Sequence, residues 1–135
     1  MLRYAEQSRP GAAEGDRTGL IAVGLVGGVA AAARFAIDAE VAARANSEFP
    51  LGILAVNLSG AFVLGLVAGA ALEGEALAIV AGGGIGSFTT FSTWILDSHR
   101  LAEAGHARLV WLNLGLSTVV GFAAVVLGHW LGTSI

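Results

Sequence analysis

The 135-residue chain has no cysteine and no lysine, and only 13% of its residues are charged. Without cysteine there are no disulfides, thiolate metal sites or cysteine nucleophiles. A soluble domain carries about 25% charged residues, so this chain is poor in the groups that keep a surface in water. All seven basic residues are arginine and the formal net charge is −3, which leaves no basic patch for nucleic acid. Residues 1–18 are polar and lack an apolar run, so they do not read as a cleavable signal peptide and are expected to form a mobile tail. No Asp or Glu lies deep in any long apolar stretch. Proton-coupled transporters normally need a titrating group inside the membrane, so that class is disfavoured. An enzyme is disfavoured too. Ser59 in NLSG does not match a nucleophile elbow, and GGGIGS lacks the Lys of a phosphate loop. His99 and His106 fall in a link and His129 falls near a span end, with no Ser–His–Asp set.

What is present is apolar. Hydrophobic residues make up 56% of the chain and the mean hydropathy is +0.77. A spanning helix needs about 20 mainly apolar residues. Residues 19–37, 49–72, 76–96 and 109–131 each qualify, and the links between them are short. The expected fold is therefore an all-α membrane protein with four transmembrane helices per subunit, a tail at 1–18 and one membrane domain at 19–132.

Arginine sets orientation only where it is unevenly shared. One face would hold Arg3, Arg9 and Arg17. The other would hold Arg44, Arg100 and Arg108, with Arg34 if it reaches the interface. This balance does not choose a side. Small-xxx-small pairs at Gly24 and Gly28, and at Gly65 and Gly69, suit close helix contact within one bundle. Four short helices bury little, so a two-fold homodimer is expected, and with balanced charge its axis can lie in the membrane plane.

The third span contains GGGIGSFTTFSTW at residues 82–94. Gly, Ser and Thr loosen or interrupt a helix, and broken backbone at membrane depth is tolerated only where protein covers it or it lines a polar path. The third helix is therefore expected to be broken. Ser87, Thr89, Thr90, Ser92 and Thr93 add hydroxyls there, and Phe88, Phe91 and Trp94 recur every three residues on one face. Asn57 stands alone in the most apolar span, either as interhelical glue or as a donor. Asn113, Ser117 and Gly121 form an i, i+4, i+8 stripe, which serves helix contact or a polar track. Thr118 lies off that stripe, as a back-bonded helix hydroxyl. Arg34, near a span end, either snorkels or draws anions to a vestibule. Arg34 apart, these groups are donors without fixed charge. With the positive edges of aromatic rings, they suit a small dehydrated anion.

Over residues 24–132 the chain resembles the CrcB/Fluc fluoride channels. The resemblance rests on GGVAAAARF at 27–35, PLGILAVNLSGAFVLG at 50–65, GGIGSFTTFSTW at 83–94 and, more weakly, NLGLSTVVGFAAVVLG at 113–128. It implies an antiparallel, dual-topology homodimer in the cell membrane, with two pores that passively export fluoride and protect the cell from it. By position, the resemblance puts Asn57, Phe91, Ser92, Thr93, Trp94, Asn113 and Ser117 along the fluoride path and Arg34 at the vestibule. The two rings at each pore would come from different subunits. It also implies a structural Na⁺ on the two-fold axis, held by the backbone carbonyls of Gly86 and Thr89 from both subunits. The chain departs from the family at Trp94 (usually Phe), Ile53 (usually Thr), Asn113 (usually Tyr) and Asp97 (usually Glu). The alternatives are a small dual-topology multidrug-type exporter, or one subunit of a heterodimeric fluoride channel.

Overall fold

The structure, a computed structural model, describes residues 10–135, and their side chains from residue 17 onward. All regular structure among them is helical: α1 (Pro10–Ala45), α2 (Leu51–Gly69), α3 (Gly74–Leu77), a wider π-type stretch (Ala78–Ile85), α4 (Gly86–Phe88), α5 (Phe91–Glu103) and α6 (Ala107–Gly132). Four helical segments are long and apolar enough to cross a membrane: Arg17–Ala45, Leu51–Gly69, Gly74–Glu103 and Ala107–Gly132. The third is built from four pieces and bends at Thr89 and Thr90, which are extended.

Among the described residues α1 begins at Pro10. Residues 10–18, expected within the tail, are therefore helical, and residues 1–9 lie outside the described residues. α1 stops where Asn46 turns to a positive φ of 44°. Gly105, at φ 79°, makes the tight reversal between α5 and α6 that a residue with Cβ would resist.

α2 is the innermost helix, and Ile53 and Val56 on it are wholly buried. Its main partner is α6, the last helix, and the π-type stretch packs mainly on α1. The α2–α6 seam is made by glycine. A Cβ at Gly65 would overlap the Val125 carbonyl, one at Gly69 the His129 carbonyl, one at Gly128 the Phe62 carbonyl and one at Gly132 the Leu66 carbonyl. Without hydrophobic drive in lipid, such backbone approach and its dispersion contacts hold helices together. The expected pair Gly65 and Gly69 works this way. Gly24 and Gly28 do not, since neither meets anything within 4 Å in the subunit. On α1 the close approach falls instead at Gly27, against Ser87 and the Gly83 carbonyl. Leu20, Leu25, Phe35, Trp111, Phe122 and Trp130 face outward, as they would toward lipid or another chain.

Candidate functional site

The bend in the third span is held by one side chain. Asn57 Nδ2 donates to the Thr90 carbonyl at 2.9 Å, and the Thr90 N–H donates to Asn57 Oδ1 at 2.9 Å. The carboxamide pairs with the extended backbone as one strand pairs with another, so both freed groups of Thr90 are satisfied. Thr90 then caps α5. Its Oγ1 accepts from the Thr93 N–H at 3.3 Å and donates to Thr93 Oγ1 at 3.0 Å, while Ser92 Oγ lies 3.3 Å from it. This is the side-chain cap a helix start needs for its unpaired N–H groups.

Four consecutive carbonyls, those of Gly86, Ser87, Phe88 and Thr89, lose their i+4 amide donors in this arrangement. In an unbroken helix the Thr90 N–H would bond to the Gly86 carbonyl and the Thr93 N–H to the Thr89 carbonyl. Here the first goes to Asn57 and the second to Thr90 Oγ1. Gly86 and Thr89, expected as carbonyl ligands, are the first and last of these four, and the geometry of the break does not single them out from Ser87 and Phe88. Oxygen donors of this kind fit a hard monovalent cation such as Na⁺.

Phe91 and Trp94 meet edge-on, with centroids 5.5 Å apart and planes at 66°. Phe91 is 72% exposed in the single subunit, so its ring is free to face another chain. Trp94 is half-buried and its Nε1 is covered, with no hydrogen-bond partner. Asn57 and Trp94 line two neighbouring grooves. One is shared with Thr89, Thr90 and Phe91. The other, of about 250 Å³, is shared with Ser117, Thr118 and Gly121.

Asn113 is 1% exposed and belongs to a chain of hydrogen bonds between α5 and α6. Ser117 Oγ donates to Asn113 Oδ1 at 3.3 Å, Asn113 Nδ2 donates to Ser98 Oγ at 2.9 Å, and Ser98 Oγ donates to the Trp94 carbonyl at 2.9 Å. Ser98 is buried and was not expected in the site. The sequence reading ended the third span at 96, whereas α5 continues to Glu103 and carries Ser98 one turn beyond Trp94. That i+4 spacing from Trp94 was the available signal. Thr118 Oγ1 donates to the Leu114 carbonyl at 2.7 Å, the back-bond expected of it.

The structure therefore brings together Asn57, Thr89, Thr90, Phe91 and Trp94 in one groove, and Asn57, Trp94 and Ser117 in the next, with Asn113 behind Ser117. Ser92 and Thr93 join through the Thr90 cap. Arg34 is half-buried on α1, its Nε covered and unpaired, and it lines neither groove. A separate cavity of about 410 Å³ opens at the end of the bundle where α1 and α5 finish and α2 and α6 begin. Asp38, Glu48, Asp97, Arg100 and His106 line it, with His106 Nδ1 2.9 Å from a Glu48 carboxylate oxygen and an ion pair Arg100–Asp97 at 3.2 Å.

Residues 21–129 match the family described as CrcB-like protein, Camphor Resistance (CrcB). The chain belongs to the CrcB family. Its relatives include a protein named fluoride-specific ion channel FluC 2 from Mycolicibacterium paratuberculosis, 45% identical over 82% of this chain and 91% of the relative. Another of the same name, from Mycobacterium bovis, is 42% identical over 82% of this chain and 88% of the relative. A third, fluoride-specific ion channel FluC 1 from Symbiobacterium thermophilum, is 37% identical over 83% of this chain and 95% of the relative. The CrcB match takes in α2 entire, the whole bend and the polar stripe of α6. Every residue of the two grooves thus lies within the family's common region.

Proposed function

We propose that the protein is a passive, fluoride-selective channel of the cell membrane, that it is not an enzyme, and that it lets the cell lose fluoride. The observation that carries this reading is the 37–45% identity, over most of both chains, to proteins named fluoride-specific ion channels. The geometry supports it. The grooves beside the bend offer an amide, hydroxyls and ring edges, and no carboxylate stands among their lining residues. Fluoride holds its water strongly, so it enters only where several close neutral donors replace that water. Asn57 keeps a second Nδ2 hydrogen beyond the one given to Thr90, and Ser117 gives its hydroxyl only to a long 3.3 Å bond that an anion can outcompete.

In this reading two copies assemble antiparallel. Phe91, so exposed in one subunit, faces the partner's path, and the fluoride path runs past Asn57, Phe91, Ser92, Thr93, Trp94, Ser117 and Asn113. Arg34 draws anions toward the vestibule. The Gly86 and Thr89 carbonyls of both copies would hold Na⁺ at the axis, and its positive charge would offset converging carbonyl oxygens.

The test is fluoride efflux from liposomes that contain this chain alone, read with a fluoride electrode. Fluoride should leave much faster than chloride and without a proton gradient. Efflux that requires the gradient would place the chain with coupled exporters. Efflux only after a related second chain is added would make it one half of a heterodimer.

A further inference from the structure

We infer that the indole N–H of Trp94 is a direct hydrogen-bond donor to fluoride, adding a conventional N–H···F contact to a path otherwise made of ring edges, an amide and hydroxyls. This rests on the fluoride-channel reading above. Trp94 is the side chain common to both grooves besides Asn57 and Ala61, so an ion moving between Thr90 and Ser117 passes its ring. Its Nε1 is covered and has no hydrogen-bond partner among the protein's groups. A covered donor without an acceptor is costly, and native proteins retain few of them. Polar groups around the grooves are already engaged. Asn57 Oδ1 accepts from Thr90, Asn113 Oδ1 from Ser117, and the Trp94 carbonyl from Ser98. The acceptor that suits this donor is thus one that arrives and leaves. Fluoride is the most compact halide, and its hydrogen bonds to N–H are correspondingly short and strong.

The covering of Nε1 matters to how it acts. Water does not reach the nitrogen, so the donor is not spent on solvent. An ion in the groove meets it once the indole turns about its Cβ–Cγ bond. A weak acceptor gains little from that movement. Trp94 therefore sharpens selection for fluoride over larger halides, beyond what an edge-only Phe supplies at the same position.

The experiment uses the full chain in detergent, with ¹⁵N at the indole nitrogens. The three tryptophans give separate N–H signals, and Trp111→Phe and Trp130→Phe, both on exposed faces of α6, identify the Trp94 signal by elimination. At constant Na⁺, sodium fluoride should move the Trp94 proton in a saturable way, sodium chloride should not, and the two α6 signals should stay in place. In liposomes Trp94→Phe should still conduct, with its half-saturating fluoride concentration raised about tenfold, the usual effect of losing one hydrogen bond to an ion. A Trp94 signal unmoved by fluoride, in protein that passes fluoride, overturns the inference and leaves the channel reading intact; a carbonyl of the partner copy as acceptor gives that result. Unchanged half-saturation in Trp94→Phe overturns it as well. No fluoride efflux from the unmodified protein fails the channel reading and this inference with it.

Discussion

At the scale of single residues, Asn57 does two things with one amide. Its Oδ1 and one Nδ2 hydrogen close the bend at Thr90, and in the proposed channel its other hydrogen would serve the groove. Asn57→Asp separates these duties. The carboxylate still accepts from the Thr90 N–H, but it gives nothing to the Thr90 carbonyl and sets a negative charge in the path of an anion. Fluoride efflux should be abolished while the protein still purifies as folded; unchanged efflux would remove Asn57 from the path. Asn57→Ala drops both bonds, leaves the Thr90 backbone unpaired and should cost about 1–3 kcal/mol in thermal unfolding. Trp94→Ile keeps apolar bulk but removes the ring edge set against Phe91. Its efflux, normalised to folded protein, should fall sharply. Equal rates for the Trp and Ile forms would assign the ring to packing alone.

At the scale of elements, the α2–α6 seam and the bend are built by opposite means. The seam depends on what is absent from four glycines. Gly128→Val should force its side chain into the Phe62 carbonyl and destabilise the subunit by about 1–3 kcal/mol or more, seen as a lower melting temperature. Gly28→Ala, which meets nothing within 4 Å, should leave the subunit's fold unchanged. The bend depends on diverted hydrogen bonds, and its bare carbonyls give the cation reading a measurable form. An ion that binds only the assembled protein at 100 times its Kd adds about 2.7 kcal/mol. Replacing Na⁺ with a large organic cation should therefore lower thermal stability, and a flat response over a wide Na⁺ range would count against the site.

Much of this was legible from residues alone, because in lipid composition acts through few rules. Long apolar runs placed the four spans, the Gly/Ser/Thr cluster placed the bend, and the i, i+3 spacing brought Phe91 to Trp94. The rest depended on distance along the chain. Nothing local ties Asn57 to Thr90, 33 residues away. Nothing in the run of small residues announces that Ala78–Ile85 winds as a π-type turn, a form that three consecutive glycines permit but do not dictate. Polar character set the bounds of two spans too tightly, since residues 10–18 and 38–45 of α1 and Asp97–Glu103 of α5 stay helical beyond the apolar window.

At the scale of the whole molecule, the outer faces of α1 and α6 are apolar and little of either helix is buried, so both turn toward lipid or another chain. If two copies insert in opposite senses, a cysteine at Ser134, or at Ser8 outside the described residues, should each be labelled partly from either side of a sealed vesicle. Labelling from one side only, in vesicles that pass fluoride, would rule out the antiparallel pair. The seam between α2 and α6 also has a bearing on biosynthesis. The second helix waits for the last, and a ribosome adding 5–20 residues per second leaves that interval on the order of several seconds. Through it, the glycine face of α2 is bare to lipid and its partner is unmade. Insertion of each helix can follow translation, but closure of the subunit cannot. Chains released after α5 should be membrane-embedded with the glycine face of α2 open to a photoactivated lipid-soluble label, and labelling there should fall only once α6 is supplied.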